Sequence, residues 1–257
     1  MTASEKKTLT ILYCAAALIC IALVILFVYI GNASDAAQAE VEKNRRSTVQ
    51  AGADARTQAV RDQLITGLKM SEPEIINTIK NDYKAFNQDG EEVGLMDLKG
   101  KVWVFAQFYS SCPECLTTNL GVLKALNDKY KDNPNFHIVT VSVDKDFDDF
   151  KRLKEMEKNL KTSSDKWWLL KCSDDKKLND YVNSELDYVR SQESTEGDNF
   201  TGKIAHDMGI SVFDAELNMW VKVDLFGPTL RKDEAGVLLA KGKLYKTIEN
   251  QLKKLDK

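Results

Sequence analysis

The sequence contains few cysteines for its length. It has five in 257 residues, and Cys14 and Cys20 belong to an apolar stretch near the N-terminus, where a cysteine is usually a small apolar residue. Only Cys112, Cys115 and Cys172 remain, which is too few for a domain built on disulfides. A pair separated by two residues, Cys112-Pro-Glu-Cys115, is better explained by chemistry than by cross-linking.

The sequence also lacks any concentration of basic residues. The formal net charge is only −3, no lysine- or arginine-rich block interleaves with aromatic residues, and no glycine-rich phosphate loop is present. These are the usual signs of nucleic-acid and nucleotide binding. We therefore expect no nucleic-acid partner and no nucleotide cofactor.

An uncharged stretch near the N-terminus predicts a membrane anchor. Residues 8–34 contain no charged side chain, and about 20 apolar residues span a bilayer as a helix. Lys6 and Lys7 precede the stretch, so the positive-inside rule keeps the N-terminus in the cytoplasm. We predict a cytoplasmic N-terminus at residues 1–10 and a single-pass anchor at residues 11–31. A cleaved signal peptide is the alternative, although its apolar core is usually only 7–15 residues long.

The anchor predicts the location of the rest of the chain. Residues 32–69 are rich in Ala, Glu, Gln and Arg and have no proline or aromatic residue, which indicates a helical or disordered stalk. Residues 70–257 are long enough to form one domain with a buried core. We expect this domain on the periplasmic or extracytoplasmic side of an inner (cytoplasmic) membrane, where disulfides persist.

Strand and helix patterns alternate through the domain. Apolar, β-branched runs predict strands at residues 102–109, 136–143 and 166–171, with hairpins around Asp89-Gly90 and within residues 211–223. Helices are predicted after the cysteine pair and at residues 146–160, 174–186 and 241–255, and Ser71-Glu-Pro-Glu resembles a helix start. This alternation predicts an α/β fold with crossover connections. A C-x-x-C after the first long strand indicates a thioredoxin-like fold, with a central mixed sheet flanked by helices.

Cys112 and Cys115 lie where the predicted strand 102–109 gives way to a helix. The start of a helix stabilises a thiolate, which both metal binding and disulfide exchange require. Two thiols in this position can form a disulfide, pass electrons or hold a soft metal. The residues alone leave these alternatives open, together with a purely structural disulfide. Cys172 has no cysteine neighbour, and we expect it to be a buried, inert thiol.

Only two histidines are present, and they differ in context. His137 belongs to a predicted strand whose alternation already explains it, so we expect a structural role. His206 lies in a loop that leads into a strand, where binding sites commonly form. It is therefore a candidate metal ligand, and Asp207 is a candidate to orient its imidazole.

Four segments of the domain form a recognisable pattern. They are Asp97-Leu-Lys-Gly-Lys-Val-Trp-Val with the Ser-Ser-Cys-Pro that follows its strand, Thr140-Val-Ser-Val-Asp, Trp167-Trp-Leu-Leu, and Ile204-Ala-His-Asp with its histidine eight residues before Asp214. From about Asn81 to the C-terminus the chain resembles the Sco/SenC family. These are membrane-anchored copper proteins with a thioredoxin fold that help to assemble the dicopper centre of cytochrome c oxidase.

The resemblance implies a site, a metal and a partner. Two cysteines and a histidine bind copper in the family, which corresponds here to Cys112, Cys115 and His206. It implies a metallochaperone that holds Cu(I) or Cu(II) and delivers copper to the oxidase subunit carrying the dicopper centre, or maintains the thiols of that centre. Another copper or thiol protein is the alternative partner. Soft thiolates prefer Cu(I) and imidazole also accepts Cu(II), while zinc is the alternative metal.

The cysteine spacing departs from the family. The family has C-x-x-x-C, usually followed by proline, whereas this chain has C-x-x-C followed by Leu116. The shorter spacing is typical of thioredoxin and its membrane-anchored relatives, so the first alternative function is an anchored thiol–disulfide oxidoreductase that uses Cys112 and Cys115. Those relatives carry a cis-proline before the strand that faces the cysteines, but residues 204–213 contain no proline. The second alternative is a non-catalytic redox or metal sensor that signals through the polar insertion at residues 188–203.

Overall fold

The structure is a computed structural model that describes residues 74–194 and 202–256. The chain divides into two units, Met1–Lys69 and Met70–Lys257, and all described residues belong to the second. The cytoplasmic N-terminus, anchor and stalk predicted at residues 1–10, 11–31 and 32–69 lie outside the described residues. Within the described ranges, no helix combines the length and the apolar character needed to cross a membrane.

A six-stranded mixed sheet lies at the centre of the domain. The strands in chain order are β1 (Asn77–Thr78), β2 (Lys84–Phe86), β3 (Glu92–Gly94), β4 (Val102–Phe108), β5 (Phe136–Ser142), β6 (Trp167–Leu170), β7 (Gln192–Glu193), β8 (Ile204–Ala205), β9 (Gly209–Phe213) and β10 (Asn218–Asp224). The strand order across the sheet is β1-β10-β9-β4-β5-β6, in which β4, β5 and β6 are parallel and the remaining pairings are antiparallel. Strands β2 and β3 form one separate hairpin, and β7 and β8 form another two-stranded pair.

Helices connect the strands and pack against the sheet. They are α1 (Pro113–Thr117), α2 (Asn119–Tyr130), α3 (Phe150–Leu160), α4 (Asp175–Glu185), α5 (Phe226–Leu230) and α6 (Glu234–Leu255), with a 3-10 helix at Leu95–Leu98. Asp149, Asp174 and Asp233 begin α3, α4 and α6, because each carboxylate accepts a hydrogen bond from the backbone N–H three residues later, at 2.9, 3.0 and 2.9 Å.

The core is centred on β4, whose seven residues are all buried. A central strand flanked by neighbours is covered on both faces, which explains its almost unbroken apolar sequence. Trp103 stacks on Phe213 of the adjacent strand with ring centroids 4.1 Å apart. Helix α6 packs against β10, β9 and β4, and the Lys129–Glu249 ion pair at 2.6 Å joins it to α2. The α/β fold with a mixed central sheet is therefore confirmed.

Several predicted boundaries were wrong. Residues 74–76 do not continue a helix from Ser71, because the Ile76 N–H donates to the Met219 carbonyl at 2.8 Å and the chain goes on as β1. Helix α3 starts at Phe150 and not near Asp146, since Asp149 is the capping residue. Helix α6 starts seven residues earlier than predicted, and α5 was not predicted.

Candidate metal centre

The cysteine pair lies just beyond the C-terminal end of β4. Cys112 begins α1, and its Sγ accepts a hydrogen bond from the Cys115 N–H at 3.1 Å. Pro113 occupies the first helical position, where its missing N–H costs nothing. Cys112 and Cys115 form a disulfide with Cα atoms 5.3 Å apart, and both side chains are 0% exposed. The position at the start of a helix agrees with the sequence prediction.

His206 lies beside this pair, with its Nε2 atom 3.2 Å from the Cys115 Sγ. The ligand atoms of Cys112, Cys115 and His206 all lie within 4.8 Å of one another, and all three residues are buried. The three residues that the resemblance singled out, 91 and 94 residues apart along the chain, are thus brought together by the fold.

The imidazole of His206 is held in one orientation. Its Nδ1 lies 3.1 Å from the Ile204 carbonyl, and because a carbonyl can only accept, Nδ1 is the protonated nitrogen. The Nε2 lone pair therefore faces the sulfur atoms, as a metal ligand requires. Burial lowers the pKa of His206 below its usual value, against smaller opposing effects from Ile204 and Asp207. The ring is accordingly neutral at neutral pH.

Asp207 does not orient this imidazole, contrary to the sequence prediction. Its carboxylate accepts hydrogen bonds from the Val189 N–H at 2.9 Å and the Gly209 N–H at 2.8 Å, and it pairs with Lys222 at 2.7 Å. These contacts fasten the loop after His206 to β10. The Ile204 carbonyl orients the imidazole instead.

A buried carboxylate holds the segment before Cys112. Asp148 is 0% exposed and accepts hydrogen bonds from the Ser110 N–H at 2.9 Å, from the Ser142 hydroxyl at 2.5 Å and from the Ser110 hydroxyl. It therefore ties the end of β4 to the end of β5. No local signal in the sequence assigns this role to Asp148, because its partners lie 6 and 38 residues away.

Tyr109 contacts both His206 and Gly202. The Tyr109 ring meets the His206 ring edge to face, with centroids 5.5 Å apart. Gly202 has a φ of +74° and lies so close to the Tyr109 hydroxyl that a Cβ atom would overlap it. A residue without a side chain is therefore required at this point.

A cleft of about 470 Å³ has His206 in its lining. It is lined by apolar residues and by the Asp207–Lys222 ion pair, and its lining includes Val189, His206, Met208 and Phe226. His206 lines this cleft and the two cysteines do not. The histidine is thus the candidate ligand that an approaching molecule would meet first.

The remaining candidates lie away from the centre. His137 belongs to β5, pairs with Trp103 in the sheet register and packs on the Trp168 ring at 4.6 Å. Cys172 is a free, buried thiol whose pKa is raised to about 12, by burial first and by Asp175 after it. Both are structural, as predicted.

The donor set fits a soft metal ion once the disulfide is reduced. Two thiolates and one neutral imidazole are ligands that Cu(I) and zinc both accept, and the imidazole also suits Cu(II). Among the residues that the structure describes, no carboxylate belongs to this group of ligand atoms, and thiolates are poor ligands for hard cations such as Mg²⁺ or Ca²⁺.

Known proteins resemble this chain. The SCO1 protein homolog of Bacillus subtilis (strain 168) is 34% identical over 82 residues, which cover 32% of this chain and 42% of that protein. The matched stretch therefore spans less than half of the relative. The crystal structure of a SCO1/SenC family lipoprotein from Bacillus anthracis str. Ames is 20% identical and covers 64% of this chain and 98% of that one, with a TM-score of 0.51. This second likeness shows the fold alone.

The family model described as SCO1/SenC matches residues 72–224, which is more than half of the chain and includes all three candidate ligands. The chain belongs to the SCO1/SenC family.

Proposed function

We propose that this protein is a membrane-anchored copper-binding protein that accepts copper through Cys112, Cys115 and His206. It delivers the copper to the dicopper centre of cytochrome c oxidase or maintains the thiols of that centre, from a domain held on the extracytoplasmic side of an inner membrane. Family membership supports the proposal. The single observation that carries it is the convergence of two sulfur atoms and one directed imidazole nitrogen within 4.8 Å.

Copper binding requires the disulfide to be opened first, because the thiolate is the metal ligand. Reduction of the Cys112–Cys115 bond takes two electrons and two protons, which an external dithiol supplies as it becomes a disulfide. The Cys115 N–H then stabilises a thiolate at Cys112, since it already donates to that sulfur. His206 needs no deprotonation, because its Nε2 is bare in the neutral ring. Oxidation to the disulfide would therefore switch binding off.

The alternative function is thiol–disulfide exchange, and the C-x-x-C disulfide at a helix start favours it. In that reaction the Cys112 thiolate attacks a partner's disulfide and forms a mixed disulfide. Cys115 then attacks the Cys112 sulfur, which releases the partner as a dithiol and restores the Cys112–Cys115 bond. The complete burial of both sulfurs argues against rapid exchange with a large partner. The sensor function predicted from the insertion stays a prediction.

A Cu(I) competition titration tests the proposal. The full-length chain, purified in detergent, is reduced and titrated anaerobically against a chromophoric Cu(I) chelator. We expect one Cu(I) per chain. We also expect His206→Ala to weaken binding by at least about 100-fold, because losing a ligand costs more than the 10- to 100-fold typical of losing a ligand's supporting residue.

His137→Ala is the matched control, because it removes the only other imidazole and should leave the affinity unchanged. A wild-type chain that takes no copper from the chelator, or a His206→Ala variant that binds as tightly as the wild type, contradicts the proposal. Rapid reduction of insulin disulfides by the same preparation would favour the alternative function.

A further inference from the structure

Two buried amide side chains hold the backbone directly after His206. Gln107, on β4, accepts a hydrogen bond from the Asp207 N–H through its Oε1 at 3.1 Å. Asn119, at the start of α2, donates from its Nδ2 to the Met208 carbonyl at 2.8 Å. Gln107 is 0% exposed and Asn119 is 1% exposed. The loop that carries the candidate imidazole is therefore hydrogen-bonded to both β4 and α2.

Both amides belong to the segment that also carries the cysteines. Gln107 precedes Cys112 by five residues, and Asn119 follows Cys115 by four. The hydrogen bonds thus connect the His206 loop to the elements on either side of the cysteine pair. A displacement of Asp207 and Met208 relative to β4 and α2 has to break one or both of these bonds.

The orientation of each amide is fixed by its partner. An N–H can only donate, so the group of Gln107 that faces Asp207 is the oxygen. A carbonyl can only accept, so the group of Asn119 that faces Met208 is the nitrogen. Neither amide can be turned round without losing its bond.

Each amide leaves its other polar atom unsatisfied. In the part of the chain that the structure describes, Gln107 Nε2 and Asn119 Oδ1 have no hydrogen-bond partner. A buried polar atom without a partner costs free energy, and an apolar residue in either place would carry no such atom. Their presence is explained if the hydrogen bond to the loop positions the loop in a way that apolar packing alone would not.

We infer that Gln107 and Asn119 are positioning residues that fix the distance from the His206 imidazole to Cys112 and Cys115 and so set the strength of the third ligand. The copper arm of this inference rests on the proposed function. The geometric arm concerns the metal-free protein and stands without it.

A double-mutant cycle tests the copper arm in the full-length chain. Gln107→Met keeps the length of the side chain but loses the acceptor for the Asp207 N–H. We expect it to weaken Cu(I) binding about 10- to 100-fold, the usual effect of removing a ligand's supporting partner. In a His206→Ala background the same change should have no further effect, because the amide acts through the histidine.

Two further variants separate positioning from stability. Asn119→Leu should reproduce the loss of affinity from the other side of the loop. Gln88→Met is the matched control, because Gln88 is a buried amide that bonds the Trp167 carbonyl and the Leu169 N–H, away from the cysteine pair. It should lower the unfolding temperature and leave the copper affinity unchanged. An equal loss in the wild-type and His206→Ala backgrounds, or no loss in either amide variant, overturns the inference.

Nitrogen-15 NMR of the oxidised, metal-free chain tests the geometric arm. In the wild type we expect His206 in a single tautomer, with the proton on Nδ1. In Gln107→Met the ring-nitrogen resonances of His206 should shift, because the freed loop changes the distance from its Nε2 to the Cys115 Sγ, while those of His137 stay in place. Unchanged His206 resonances overturn the inference. If the wild type binds no copper, the proposed function fails and this measurement still decides the positioning role.

Discussion

The two ends of strand β4 are equally buried but make different kinds of contact. At its N-terminal end, Trp103 stacks on Phe213 and lies opposite His137 in the neighbouring strand. At its C-terminal end, Gln107 bonds the His206 loop, and the chain then runs through Ser110 into the cysteine pair. The N-terminal end is therefore held by aromatic packing, and the C-terminal end by hydrogen bonds to backbone groups.

One of the two histidines lies next to each end of β4, His137 opposite Trp103 and His206 beside the residue that Gln107 bonds. Their difference explains which one is a candidate ligand. Burial first, then the positive charge of Lys101, lower the pKa of His137 to about 3, against a smaller opposing effect of the Asp165 backbone. His206 is also buried and neutral, but a carbonyl holds one of its nitrogens and the other faces sulfur. Burial alone thus does not make a ligand. The direction of the free lone pair does.

The largest expected effect is at the packing end. Trp103→Ala removes a fully buried indole, so we expect the free energy of unfolding to fall by about 3–5 kcal/mol. Urea unfolding of the full-length chain in detergent measures this loss. The Cu(I) affinity of the folded variant should stay within about twofold of the wild type, since interactions at distant sites add independently. A loss of affinity like that of His206→Ala would show that the two ends are not separate.

The pH dependence of stability comes next, and it isolates His137. As the pH falls below about 6.5 the unfolded chain protonates this ring, whereas the folded protein keeps it neutral down to about pH 3. Stability is therefore greatest above pH 6.5 and declines as the pH falls towards 3. Between pH 7 and pH 5 the wild type should lose about 2 kcal/mol more than His137→Phe.

Metal-free unfolding curves at the two pH values provide the measurement. The two proteins carry the same other titratable groups, so the contributions of those groups cancel in the difference. Equal losses in the wild type and in His137→Phe would mean that His137 is hydrated and titrates normally in the folded protein.

A pair of glycine substitutions gives the smallest effect and tests the contact between Gly202 and Tyr109. Gly202→Ala should lower stability by about 1–2 kcal/mol, because the new Cβ meets the Tyr109 hydroxyl and the φ of +74° disfavours a side chain. Gly121→Ala in α2 is the matched control, since its Cβ meets nothing within 4 Å and alanine favours a helix by about 0.5–1 kcal/mol. Thermal unfolding should shift in opposite directions. A shift in the same direction would indicate that the contact between Gly202 and Tyr109 is loose.

The parallel strands and the position of the cysteine pair could be predicted from sequence. The runs at residues 102–109, 136–143 and 166–171 agree with β4, β5 and β6 to within about two residues, because a strand covered on both faces reads as a continuous apolar run. The loop position of His206 made it a candidate ligand, but only the family pattern joined it to Cys112 and Cys115.

The contacts around the site could not be predicted. Gln107, Asn119 and Asp148 act on residues 100, 89 and 38 positions away, and no local pattern reports such a distance. The role given to Asp207 was wrong for a related reason. Its carboxylate pairs with Lys222, which the fold places against it, and not with the adjacent His206. Helix starts were misplaced where several aspartates competed as caps, as at Asp146 and Asp149.

The complete burial of both sulfur atoms has a kinetic consequence. Both cysteine side chains are fully buried, so under the proposed function a copper acceptor reaches their sulfurs only after a local opening of the protein. Raising the acceptor concentration then speeds transfer only until opening becomes the slowest step, after which the observed rate reaches a plateau. The plateau rate is a property of this chain and not of its partner, so different acceptors should share it.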